Sequence, residues 1–236
     1  MPASLTTTSM PSTNRLYLQA LERNLGRICS APHCSVHRHH LNAWCRGCLD
    51  RANRYGDPTA GPLRRSSWSS YRTAVHRLFD LNMGHPGLIE AISWASAWMA
   101  KSASDSLAYP GAQEVGRLVA AGITPRQLIE EVAAVSMYLH ECPFLLPTDK
   151  ARDFALARAA WNLAPRRARV TYAGGRKLRT YDRPSRGSLI HVGKLLRAQL
   201  AGVCLQARIG VEELARLKSR TAEEIDAARK APFATA

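Results

Sequence analysis

The segment from Cys29 to Pro58 reads CSAPHCSVHRHHLNAWCRGCLDRANRYGDP, and its first twenty residues hold four of the chain's six cysteines and four of its eight histidines. The cysteines are spaced Cys29-x4-Cys34-x10-Cys45-x2-Cys48. Tetrahedral zinc takes four N or S ligands, and a loop of two to four residues lets two thiolates reach one ion. A disulfide framework is the weaker alternative for thiols in a reducing compartment. A redox Cys-x-x-Cys wants a strand before it, whereas Cys45 and Cys48 follow a His-rich loop. The metal ligands expected are Cys29, Cys34, Cys45 and Cys48. Imidazole also binds zinc, so His33, His37, His39 and His40 leave open whether one histidine replaces a cysteine. Four protein ligands close a coordination sphere, which makes the expected Zn2+ structural.

After Cys45 the sequence predicts a short helix, Arg46 to Tyr55, stopped by Gly56. Arg46, Arg51 and Arg54 project from it, and Arg64 and Arg65 follow on the linker. A metal-pinned helix with several arginines suits phosphate contacts. The stretches ICSAPHC and NAWCRGCLDRANRYGDP together resemble a small zinc-finger module of phage and mobile-element proteins. The resemblance covers residues 29–58, and implies zinc binding and association with nucleic acid. Where that module commonly carries His at the end of its second pair, this chain has Cys48, still a competent ligand. A nuclease reading would cast His39, His40 and Asn42 as base and metal holders, but they lie inside the zinc loop itself.

Charge extends the argument along the chain. Its formal net charge is +15 over 236 residues, mostly from arginine. Residues 23–77 carry +8, residues 78–165 carry −3, and residues 166–236 carry +10. Two basic blocks therefore flank a mildly acidic middle, a pattern that favours a polyanionic partner. No run of about 18 apolar residues is present, so no membrane span is expected. Residues 1–14, rich in Ser, Thr and Pro, read as a disordered leader without a signal peptide. A cytoplasmic location in a prokaryotic host follows from these readings as an expectation.

From residue 63 the pattern is helical. Ser66 or Ser67 is the expected cap of a helix carrying Trp68, Tyr71, Val75, Leu78 and Phe79 at three- and four-residue steps. Arg72 on that helix joins the candidate nucleic-acid contacts. Further helices are expected over Leu88 to Ala100, from Ala112 to Gly122, from Thr124-Pro125 onward, and from Thr148 to about Leu163. The tryptophans read as core, and Cys142 and Cys204 as buried thiols. The segment SWSSYRTAVHRLFDL, residues 67–81, faintly resembles the first helix of the core-binding domain of tyrosine recombinases. That likeness implies a helical bundle clamping duplex DNA.

The strongest strand signal is RARVTYAGGRKLRTYDRP, two short runs around Gly174-Gly175. It predicts a protruding basic hairpin over 168–181, since neither face is cleanly apolar. Arg169, Tyr172, Arg176, Lys177, Arg179 and Tyr181 are its candidate contacts, with the tyrosines suited to stacking on bases. Recombinase chemistry does not follow. Tyr181 is the last tyrosine, inside the hairpin, and His191 is followed by Val192, Gly193 and Lys194 rather than by the recombinase arginine arrangement. A helix from Ser188 to about Arg208 is expected next, broken at Gly210 and followed by two short helices with a helix-turn-helix cadence. Acids Glu223, Glu224 and Asp226 suit that last region to packing or self-association, and residues 231–236 read as a tail.

These readings give a mainly α chain: a zinc module with a flanking helix over 15–62, then a helical domain over 63–230 with one hairpin. No carboxylate pair, Gly-rich phosphate loop or nucleophile elbow is present. The function expected is a non-enzymatic, zinc-containing DNA-binding protein of a phage or mobile element. An RNA-binding or ribonucleoprotein subunit and a nuclease with an unrecognised site are the alternatives.

Overall fold

The computed structural model describes residues 12–165, 168–173, 176–181 and 184–230, with side chains for residues 15–165 and 184–220. The chain is mainly helical, with its cysteine cluster near the N-terminus. It separates at Ala60–Gly61 into two compact units.

The first unit has helix α1 (Ser12–Leu25), a cysteine-bearing loop and helix α2 (Arg46–Tyr55). Helix α1 begins at Ser12, inside the segment expected as a leader; residues 1–11 lie outside the described residues. The loop is braced by an antiparallel bridge between Ile28 and His37. Arg38 adds a second brace, donating to the Ile28 carbonyl, Asn24 Oδ1 and Ser30 Oγ. Helix α2 starts where the Cys45 sulfur accepts the Cys48 N–H, and ends at Gly56 in the left-handed region, φ +86°.

In the second unit, a 3-10 turn (Arg65–Trp68) leads into α3 (Ser69–Leu81). Neither Ser66 nor Ser67 caps α3 through its side chain; the 3-10 turn winds the chain into the helix instead. Helices α4 (Pro86–Ser104), α5 (Ala112–Ala120), α6 (Pro125–Glu141) and α7 (Asp149–Trp161) follow. Helix α6 is the central element. Its start is fixed by a capping box between Thr124 and Gln127, and every residue from Leu128 to Val135 is buried. A helix apolar on one side only would face solvent on the other; α6 is enclosed because α3, α4, α7 and the long helix α8 (Arg186–Lys230) pack around it.

Two acidic residues lie inside this buried stretch. Glu131, 1% exposed, accepts the Trp68 indole N–H at 2.9 Å and an Arg72 N–H at 3.2 Å. Glu130 accepts from Arg126 at 2.6 Å, and Arg126 also pairs with Asp80. Trp68 is thus core, as its spacing predicts, with its polar edge satisfied by a buried carboxylate.

Strands β1 (Ala168–Ala173) and β2 (Arg176–Tyr181) pair antiparallel, with Ala173 opposite Arg176 and Ala168 opposite Tyr181. The Gly174-Gly175 connection lies outside the described residues.

Helix α8 (Arg186–Lys230) is one continuous helix of 45 residues, about 68 Å long at 1.5 Å per residue. The break expected at Gly210 and the helix-turn-helix after it are corrected by this finding. Gly210 serves packing: a Cβ there would come within 2.9 Å of the Leu78 side chain. Gly193 has the sharper role. A Cβ there would lie 1.7 Å from the Asp153 carbonyl oxygen, so only glycine permits this crossing of α7 and α8. Leu189, Val192, Leu196 and Leu200 form the buried stripe of α8. The expected tail, 231–236, lies outside the described residues.

Candidate metal centre and basic surface

The Sγ atoms of Cys29, Cys34, Cys45 and Cys48 all lie within 4.8 Å of one another. The Cys34–Cys45 pair is 3.7 Å apart. Ligands about 2.3 Å from a tetrahedral zinc ion are separated by about 3.8 Å, so the spacing fits such an ion. Cys29, Cys45 and Cys48 are buried and Cys34 is half-buried, with Trp44 packed against the cluster.

Backbone geometry prepares the sulfurs for negative charge. Cys29 Sγ accepts N–H groups from Cys45 at 3.2 Å and Ala31 at 3.5 Å. Cys45 Sγ accepts from Cys48 N–H at 3.4 Å, placing it at the positive end of α2. Burial disfavours the Cys29 thiolate, but these N–H donors and the neighbouring thiols outweigh it and hold its pKa at about 7. Burial and the surrounding thiols push Cys48 up to about 12. Four such sulfurs ionise together only with a cation among them, and protons compete with that cation for the site.

Among the described residues the ligand group contains these four cysteines and no histidine. His33 and His40 adopt positive φ, +60° and +49°, where the loop turns sharply. His39 and His40 pack edge to face, ring centroids 4.2 Å apart. The His40 and Asn42 carbonyls both accept from the Asn24 side chain, at 2.5 and 2.9 Å. No second cluster of three or more metal-ligating side chains occurs among the described residues.

The expected arginines fall into distinct environments. Arg46, Arg51 and Arg54 are exposed on α2. Arg51 donates to the Pro58 carbonyl at 3.3 Å, and Arg54 also has an interaction partner. Arg64 is exposed at the mouth of the 3-10 turn. Arg65 lies 3.9 Å from Glu131 and Arg72 lies 3.2 Å from it, so both guanidinium groups neutralise a buried carboxylate. The side chains of Arg169, Tyr172, Arg176, Lys177, Arg179 and Tyr181 lie outside what the structure describes, although their backbone positions are fixed by the strand register. The Asn24 and Arg38 braces were not anticipated. Neither residue type signals a brace, because each acts on backbone groups brought near only by the loop's closure.

No family model, curated protein or solved structure matches this chain. No helix among the described residues is long and apolar enough to cross a membrane.

Proposed function

We propose that the chain is a zinc-containing nucleic-acid-binding protein, with duplex DNA as its preferred partner and the ion holding shape without doing chemistry. The observation that carries this reading is the set of four convergent sulfurs at the root of a helix that exposes Arg46, Arg51 and Arg54. Zinc is the ion of choice because four thiolates in a compact tetrahedron match its preference, and a closed sphere leaves no place for an activated water. The ion rigidifies the base of α2, so its arginines meet phosphates with less loss of freedom on binding.

The basic strands β1 and β2 serve as a second contact, a ribbon able to lie along a phosphate backbone or in a groove. Their net charge supports this role, as does a sequence whose two faces both carry polar groups. The resemblance of residues 29–58 to a phage or mobile-element zinc module points the same way.

Metal analysis of purified protein is expected to find about one zinc per chain. Salt-titrated fluorescence anisotropy then compares labelled duplex DNA, single-stranded DNA and RNA. Replacing Arg46, Arg51 and Arg54 together with Ala should weaken duplex binding and flatten the salt dependence by about one unit of slope per lost phosphate contact. Replacing Arg176, Lys177 and Arg179 together should act similarly. Unchanged affinity in both triple variants defeats the assignment, and tighter binding to RNA at every salt concentration selects the ribonucleoprotein alternative.

A further inference from the structure

A cavity of about 350 Å³ opens between α6, α7 and α8 in the second unit. Its lining is divided chemically into two parts. The apolar part comes from Val132, Met137, Leu156 and Ala201. The polar part is cationic: Arg152, Arg197 and Arg208 line it together with His140.

The three guanidinium groups are not equivalent. Arg197 forms a two-pronged pair with buried Asp153, at 2.6 and 3.2 Å, and lies 3.4 Å from Asp149. Arg152 donates to the Leu146 carbonyl at 3.2 Å and lies 3.8 Å from Asp149. Arg197 is therefore offset chiefly by the buried Asp153, and Arg152 in part by the exposed Asp149. Arg208 differs, because its partner is an imidazole: its Nη1 donates to His140 Nε2 at 2.5 Å. An imidazole, unlike a carboxylate, orients the guanidinium without bringing a negative charge to cancel its own. Cys204 also lines the cavity, and burial pushes its thiol up to about 11, so it stays uncharged near neutral pH and does not repel an anion.

We propose that this cavity binds a small amphiphilic anion, a carboxylate on a short apolar body, with Arg208 as the charge-reading residue. The volume lies near the lower end of the roughly 300–1,000 Å³ typical of small-molecule sites. An apolar lining with one oriented cation rewards a ligand that is apolar over most of its surface and charged at one end. A purely ionic ligand leaves the apolar wall unfilled, and a purely apolar one leaves the Arg208 charge without a counter-charge.

The test is isothermal titration of the full-length chain with three probes: octanoate, octan-1-ol and inorganic phosphate. Octanoate should bind at about one equivalent, at least tenfold more tightly than either octan-1-ol or phosphate. Arg208→Gln should weaken octanoate about tenfold or more, as loss of a charged hydrogen bond implies, while octan-1-ol changes by less than about twofold. Ala201→Trp, which fills the apolar part, should remove the binding of both; thermal unfolding of each variant checks that it folds. Arg208 lies on the helix surface, so its variant remains informative if Ala201→Trp does not fold. Octanoate and octan-1-ol binding alike, phosphate binding as tightly as octanoate, several octanoate molecules per chain, or Arg208→Gln binding octanoate unchanged would each overturn the proposal.

Discussion

Among the described side chains of the first unit the buried hydrophobic ones are Cys29, Ala31, Cys45, Cys48, Ala52 and Ala60, whereas in the second a single helix, α6, buries Leu128, Ile129, Val132, Val135 and Met137. Side chains the size of Ala and Cys bury too little apolar area to offset the entropy of ordering a loop-rich segment of this length. Folded units so small commonly rely on a metal or another cross-link. The second unit needs none, because its helices bury large aliphatic side chains around α6. In the proposed zinc-bound form the first unit draws its stability from coordination, whereas the second draws its own from packing and a few buried ion pairs.

Removing the proposed zinc is expected to separate the two units most sharply. A structural zinc site of this class contributes on the order of 10–16 kcal/mol of apparent binding free energy. Chelation, or Cys48→Ala, should therefore strip hydrogen-exchange protection from residues 28–56 while leaving α6 protected. Retained protection of both units after metal removal would show that the sulfurs are not what holds the first one together.

Within the packed unit, Gly193→Ala is expected to have the largest effect. Its new methyl would overlap the Asp153 backbone, which cannot yield as a flexible side chain does. A loss of about 3 kcal/mol or more is expected, read as a lower midpoint in urea unfolding of the second unit. Glu131→Ala ranks next. It leaves the Trp68 N–H buried without its acceptor and removes the partner of Arg72. Because the Arg72 side chain is 35% exposed and reaches water, the cost is set mainly by the indole, about 2 kcal/mol. A change under about 0.5 kcal/mol would show the carboxylate to be dispensable for packing.

The smallest effect sharpens the role of the second glycine. At Gly210 the nearest atoms are the ends of the Leu78 side chain, at 2.9 and 3.0 Å, and these can rotate away. Alanine is also about 1 kcal/mol more favourable than glycine within a helix. Gly210→Ala should therefore leave the melting temperature within about 2 °C of the original. A large loss would mean that α3 and α8 pack as rigidly there as α7 and α8 do at Gly193.

Much of the molecule was legible in the residues alone. The cysteine spacing named all four convergent sulfurs, because short loops between ligands constrain geometry locally. Helix α2, from Arg46 to Tyr55 with Gly56 after it, was also legible: its cap and stop lie within one turn of its ends. So were Thr124 and Thr148 as the residues that start α6 and α7; the reciprocal Gln127 side-chain bond at Thr124 was not. The charge pattern was legible too, but not its employment. Arg72, a candidate phosphate contact by charge, is held at 3.2 Å by a glutamate 59 positions away.

Ligand spacing, caps and amphipathic stripes depend on neighbours a few positions apart, and the residues alone set them. The packing of distant helices is what makes Gly210 continue α8 rather than break it, buries Glu131 against Trp68, and sets Arg208 in a cavity wall beside His140. The physical reason is that a glycine's local cost is about 1 kcal/mol, small enough for packing against a distant helix to overrule. A buried charge is likewise tolerated only when remote residues arrive to neutralise it. Such partners are set by the meeting of helices, and no short window of sequence contains them.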